Sequence, residues 1–169
     1  MRLFIAITFS DSVKNMLSSI QDHLRMYASK GSFIRYENLH LTLAFLGEIS
    51  KNQIDSICSI IDALSCIPFS FHFSTLDSFN GDLYWVGTED APSLTALQDA
   101  LTSALLREGF SVDNKEFIPH LTLVRHAVMK QKPQFLIQPI QTEVHSISLM
   151  ESTQEDGIPV YREIYRKEF

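Results

Sequence analysis

Positive charge is scarce in this chain: 14 Lys and Arg stand against 20 Asp and Glu, for a formal net charge of −6 and a pI near 5.4. Gripping a long nucleic-acid backbone takes many Lys and Arg contacts, so a broad nucleic-acid groove is excluded. One or two phosphates held by a local cluster of donors remain compatible with that balance. Cysteine is scarce too. Cys58 and Cys66 sit in apolar surroundings, at no spacing that suits a metal or a nucleophile, and predict reduced thiols in a cytoplasmic protein. The apolar opening from Met1 to Phe9 is too short to cross a membrane and leads into polar and acidic residues rather than a cleavage site, so it reads as a first strand without a signal segment. Low-complexity tracts and linkers are absent as well.

What is present is an ordinary globular composition, 169 residues of which 45% are hydrophobic, enough for a proper core in one domain spanning 1–169. After the first strand, Ser10 and Asp11 offer an N-cap, and Val13, Met16, Leu17, Ile20 and Leu24 keep helical spacing to about Tyr27. Lys30-Gly31-Ser32 breaks this helix, and Ser32 to Tyr36 is extended. Ser50 caps a second helix lined by Ile54, Ile57, Cys58, Ile61 and Leu64, which Pro68 stops. Phe69, Phe71, Phe73 and Thr75 alternate as one strand, with Leu83 to Val86 its hairpin partner across Asn80-Gly81-Asp82. A third helix runs from about Ser93 to Glu108 and ends at Gly109. Ala127 to Pro139, with two prolines and no period, reads as a loop, and two strands, Glu143–Met150 and Val160–Tyr165, close the chain through Asp156-Gly157. This mixed order with antiparallel hairpins predicts an α+β fold with helices on the outer faces of sheets.

One short text occurs twice. His40-Leu41-Thr42-Leu43 returns as His120-Leu121-Thr122-Leu123, an offset of 120 − 40 = 80 residues, close to half the chain. That placement predicts two similar lobes, each giving one strand to a shared site. In a strand, His40 and Thr42 point to one face and Leu41 and Leu43 to the other; the second copy does the same. A lone His-x-Thr is ordinarily a half-exposed polar face, but two matched copies half a chain apart are not explained that way.

Metal binding and a serine triad are the weaker readings, because no His-x-x-x-His pair, cysteine cluster or Gly-x-Ser-x-Gly elbow is present. Histidine titrates near neutral pH, so one copy can accept a proton while the other donates one. Two opposed histidines suit in-line displacement at phosphorus, with the hydroxyls of Thr42 and Thr122 holding non-bridging oxygens and no cofactor required. Arg125 offers a guanidinium for phosphate, yet strict alternation puts it on the Leu121 face unless the strand bends. The same count makes Phe45 a core residue. Tyr36 and Trp85 are the candidates for stacking on a base, weighed against plain packing. His23, His72, His126 and His145 lack a partner motif.

His40-Leu41-Thr42-Leu43-Ala44-Phe45-Leu46-Gly47 and Pro119-His120-Leu121-Thr122-Leu123-Val124-Arg125 closely resemble the paired motifs of the two-histidine phosphoesterases, and within them the LigT-like RNA 2′,3′-cyclic phosphodiesterases. Supporting segments are Arg2–Ile7, Glu37-Asn38-Leu39, Leu83–Gly87 and a closing strand around Tyr161. The resemblance implies a bilobed, pseudo-symmetric α+β fold with antiparallel sheets lining a central cleft. It implies opening of RNA 2′,3′-cyclic phosphate ends to 2′-phosphomonoesters, with His40 as proton donor and His120 as proton acceptor, a choice the residues alone leave open. Alternatives are 2′-5′ ligation, 2′-5′ phosphodiester hydrolysis on small nucleotides, or an RNA-end binding module without turnover. Expected partners are RNA 3′ ends or small cyclic nucleotides, met by a monomer with no membrane and no obligate protein partner.

Overall fold

The computed structural model describes every residue of the chain except Asn114. It contains ten strands and three helices among the described residues, in mixed order with all strand pairs antiparallel, the α+β class expected from the sequence. The first sheet holds β1 (Arg2–Thr8), β3 (His40–Glu48), β9 (Ser146–Glu155) and β10 (Ile158–Glu168) in the order β10-β9-β1-β3. The second holds β2 (Ala28–Phe33), β5 (Thr75–Phe79), β6 (Leu83–Gly87) and β7 (His120–Met129) in the order β2-β7-β6-β5. A separate ribbon pairs β4 (Phe69–Phe73) with β8 (Ile140–Val144). Each sheet carries one histidine motif, on β3 and on β7. In both, the motif strand pairs with the strand that precedes it across a helix: β1, α1, β3 and then β6, α3, β7.

Helix α1 (Asp11–Arg25) starts where Ser10 Oγ accepts the Val13 amide, and it buries Val13, Leu17, Gln21 and Leu24. Helix α2 (Ile54–Ala63) follows a 3-10 turn whose capping box pairs Ser50 with Gln53, and helix α3 (Pro92–Arg107) buries Leu94, Leu97, Leu101 and Leu105. Gly109, at φ +81, closes α3 as a left-handed cap. Leucines and isoleucines of all three helices join the inward faces of both large sheets in one contiguous core.

Five boundaries differ from the periodicity reading, four of them because a strand changes partner or lies half-exposed. The phenylalanine strand ends at Phe73: the Ser74 amide bonds the Gly87 carbonyl, so β4 turns away to β8, and the hairpin partner of β6 is β5. Glu143 to Met150 is likewise two strands, β8 leaving for β4 and β9 for β1, with the break at His145. Lys30-Gly31-Ser32 does not interrupt structure but lies inside β2, an exposed edge with no apolar alternation to announce it. A Cβ on Gly31 would come 2.8 Å from Val124 Cγ2, which explains a glycine there. Strand β7 runs on to Met129 through pairing with β2, leaving only 130–139 as loop, and α2 ends at Ala63, before Pro68.

Candidate active site

Both histidines stand at the first residue of their strands, and both are oriented in the same way. His40 Nδ1 lies 2.6 Å from the carbonyl of Asn38, and His120 Nδ1 lies 2.7 Å from that of Ile118. A carbonyl only accepts, so each Nδ1 carries a proton and donates it, and each Nε2 is left to act in the cleft. The first carbonyl is held by a 3-10 turn, Tyr36–Asn38, with the buried Asn38 amide Nδ2 anchored 2.9 Å from the Pro159 carbonyl. The second precedes Pro119, which disfavours helical backbone at Ile118 and keeps the approach extended. His40 Nε2 lies 3.0 Å from Thr42 Oγ1.

Aromatic rings fix the imidazoles laterally. Tyr161 meets His40 edge-on at 5.2 Å and Phe4 lies 5.0 Å from it; Phe79 and Trp85 flank His120 at 5.2 and 5.8 Å. Trp85 is therefore packing rather than a free stacking face. A Cβ on Gly87, which pairs with His120, would fall 2.5 Å from the Trp85 ring, so the small residue protects this arrangement. Tyr36 donates its hydroxyl to Asp11.

A β-bulge changes the reading of both motifs. Along β3 the pairing passes from Ala6↔Thr42 to Ile5↔Ala44, and along β7 from Trp85↔Thr122 to Tyr84↔Val124, so Leu43 and Leu123 are extra residues at the same motif position. Each bulge reverses the alternation beyond it. Leu43 and Ala44 are both buried, as are Leu123 and Val124, and the next residues come round to the histidine face. Arg125 thereby reaches the site that strict alternation denied it. Phe45, expected in the core, is instead 55% exposed.

These side chains enclose a cavity of about 160 Å³ lined by His40, Thr42, His120, Thr122, Arg125 and Tyr161, with Asn38, Ile34, Phe45 and Leu83 completing its wall. At about 30 Å³ per water this is about five water volumes, room for a phosphate group but not for a nucleoside. A larger cleft of about 680 Å³ adjoins it, sharing Thr42, Phe45 and His120 and extending past Phe79, Phe117 and Ile118 to Gln98 and Thr102. That volume suits a small organic ligand. His23, His72, His126 and His145 line neither space.

Burial is the largest influence on His40 and pushes it down to about 4 from its ordinary 6.5; the bond to Asn38 opposes this, and charge at Arg125, His120 and Lys14 adds to it. His120 is lowered as well, by burial first, with Arg125 contributing and the Ile118 bond opposing. Both imidazoles are thus neutral near pH 7 in the free protein, and the Nε2 lone pair of His40 takes the Thr42 hydroxyl. Among the described residues, no group of three or more His, Cys, Asp or Glu side chains is arranged to hold a metal ion. No helix among them is long and apolar enough to cross a membrane. Sequence reading put Phe45 in the core and passed over Phe79; Phe4, Tyr161 and Asn38 were visible only as part of the resemblance.

The chain matches the family described as LigT like Phosphoesterase over residues 7–84. An RNA 2′,3′-cyclic phosphodiesterase of Thermotoga maritima is 31% identical, over 100% of this chain and 96% of that protein. One from Escherichia coli is 31% identical over 75% of this chain and 72% of its own length. Among solved structures, E. coli LigT in its apo form superimposes with a TM-score of 0.87 at 25% identity, covering 99% of this chain and 96% of that one. LigT complexed with 3′-AMP gives 0.86 at 26% identity, with 99% and 97% coverage.

Proposed function

This chain belongs to the LigT-like phosphoesterase family, and on that premise we infer that it is an RNA 2′,3′-cyclic phosphodiesterase, opening cyclic phosphate ends to 2′-phosphomonoesters. The observation that carries the inference is the pair of imidazoles with Nδ1 tied back to carbonyls, both lining one phosphate-sized cavity.

The cyclic phosphate sits in that cavity with its non-bridging oxygens toward Thr42, Thr122 and Arg125. His120 Nε2 accepts a proton from water as the water oxygen attacks phosphorus. The bond from phosphorus to the ribose 3′ oxygen breaks, and that oxygen takes a proton from His40 Nε2. His120, the more exposed of the two, has no partner on Nε2 among the described residues, which suits the base. His40, deeper and beside Thr42, suits an acid that is charged only when an anion is bound. The negative charge of the substrate and of the transition state offsets the cost of that proton, and hydroxyl and guanidinium donors already in place stabilise the transferring phosphoryl group. The nucleoside lies in the larger cleft with its base against Phe45. The acidic chain keeps its grip local to the RNA terminus, so small cyclic nucleotides are substrates too. The whole chain, 1–169, acts as one catalytic domain, a cytoplasmic monomer.

The test is incubation of an oligonucleotide ending in a 2′,3′-cyclic phosphate with the protein and excess chelator. Conversion to the 2′-phosphate is expected. Conversion to the 3′-phosphate would overturn the leaving-group assignment, and turnover only on adding a metal would overturn the acid-base mechanism. Tight binding without product would favour the end-binding module.

A further inference from the structure

Two glutamines take equivalent places against the motif strands, yet neither is needed for proton transfer. Gln21, on α1 and 4% exposed, donates through Nε2 to the carbonyls of Leu123 and Ile34, both at 2.9 Å. Gln98, on α3, donates to the carbonyl of Leu43 at 3.4 Å and to Thr102 Oγ1 at 2.9 Å. Leu123 and Leu43 are the two bulged residues. The helix of the first half thus serves the second motif, and the helix of the second half serves the first.

A bulge leaves one residue out of the ladder, and its geometry depends on what else holds that residue. Were either strand to regularise by one residue, every side chain beyond the slip would change faces. Arg125 would leave the phosphate cavity, and Phe45 would turn into the core. At Leu123 the carbonyl already takes the Ile34 amide at 2.9 Å, so Gln21 fills its second lone pair and ties β7 to the end of β2. At Leu43 the strand is the edge of its sheet and has no second neighbouring strand to fix its register. In both places the donor is carried by a helix whose leucines are packed in the core, a rigid support for a small backbone irregularity.

We propose that Gln21 and Gln98 are positioning residues, holding the carbonyls of Leu123 and Leu43 so that the paired bulges keep Arg125 turned to the phosphate and Phe45 turned to the base. The inference depends on the phosphodiesterase reading for what those two side chains meet. Its test reads phosphate affinity separately from turnover, so the two can fail independently.

Inorganic phosphate binding by calorimetry and hydrolysis of 2′,3′-cyclic AMP are measured for wild type, Gln21→Leu, Arg125→Met and the double variant, below their melting temperatures. Gln21→Leu is expected to weaken phosphate about tenfold and raise KM, as loss of a hydrogen bond to a charged group does. In the double variant the loss should stay within about twofold of Arg125→Met alone, since both act through one guanidinium. Additive losses, or an unchanged Kd with fewer competent molecules, would show that Gln21 supports the fold only and would overturn its role. Wild-type protein that binds no phosphate would overturn it too. Phosphate binding with the expected cycle but no opening of cyclic nucleotides would support the positioning role and sink the phosphodiesterase reading. Should Gln21→Leu not fold, Gln98→Met carries the test from the less buried side. It should raise KM for 2′,3′-cyclic AMP severalfold, leave that for base-free glycerol 1,2-cyclic phosphate unchanged, and have no effect on top of Phe45→Ala. An effect that persists without Phe45 means that Gln98 touches the ligand itself and refutes its positioning role.

Discussion

Acid should weaken this fold through His40 in particular, because the folded protein holds that imidazole neutral far below the pH at which the unfolded chain releases it. The direction follows from proton counts. Between the folded value of about 4 and the unfolded 6.5, the unfolded state binds more protons, so stability rises with pH across that window and is lost as pH falls through it. At about 1.4 kcal/mol per pH unit, the full depression corresponds to about 3 kcal/mol, of which about 2 kcal/mol is lost between pH 7 and pH 5. His120 adds a loss of the same sign, and Glu163, whose carboxyl is held low chiefly by Arg166, adds another further down in acid. Comparing wild type with His40→Asn separates His40 from these, since the variant keeps the rest. Urea denaturation at both pH values is the assay, read as the change in midpoint at constant m-value. Wild type should lose about 2 kcal/mol more than His40→Asn on going to pH 5. A difference under about 0.5 kcal/mol would refute the burial argument, and saturating anion should shrink the difference by letting the folded state take its proton.

The same electrostatics predict that binding takes up a proton: in His120→Ala, calorimetry with 2′,3′-cyclic AMP near pH 6.5, in buffers of different ionisation heat, should show net uptake, because the phosphodiester itself does not titrate there. Zero uptake would deny His40 the role of acid. Thr42→Val and Thr122→Val keep strand shape while removing a donor, and each should lower kcat by about a hundredfold; wild-type rates in both would make the hydroxyls structural. A substrate with a far better leaving group should rescue His40→Ala more than His120→Ala, and the reverse pattern would exchange the two roles. Phe45→Ala should raise KM severalfold for cyclic nucleotides but not for glycerol 1,2-cyclic phosphate; equal effects on both would place the ring outside the base site.

Much of this was legible in the sequence, and the gaps have three causes. The repeated His-Leu-Thr-Leu text, alternating apolar residues and capped helices pointed to the class, the helices and four residues that line one cavity, since each depends on local pattern. The sequence could not show where strands change partners. Phe69 to Thr75 and Glu143 to Met150 each alternate without interruption, yet each is cut where the chain leaves one neighbour for another. Nor does an edge strand such as Ala28–Phe33 need apolar alternation, so nothing in its composition announced it. The faces of Arg125 and Phe45 were misread for a third reason: a bulge shifts the count by one residue and leaves no mark in residue type, since Leu43 and Leu123 look like any other core leucine.

The two bulges also explain how a repeated frame serves an unsymmetric reaction. The proposed in-line displacement needs a nearly straight arrangement of base, phosphorus and acid, which suits two copies of one strand lining a single cavity. Its two sides are chemically unlike, one meeting water and the other a ribose oxygen attached to a base. The frame is therefore shared up to the bulge, and the substituents diverge after it. Five residues past the histidine, one copy presents a guanidinium and the other a phenyl ring. His40 is half-buried beside Thr42 and Tyr161, while the Nε2 of His120 has no partner among the described residues. A single residue inserted at the same motif position of both ladders puts these unlike groups on the cavity face, and in the proposed mechanism it is these differences, not the shared frame, that give each histidine its role.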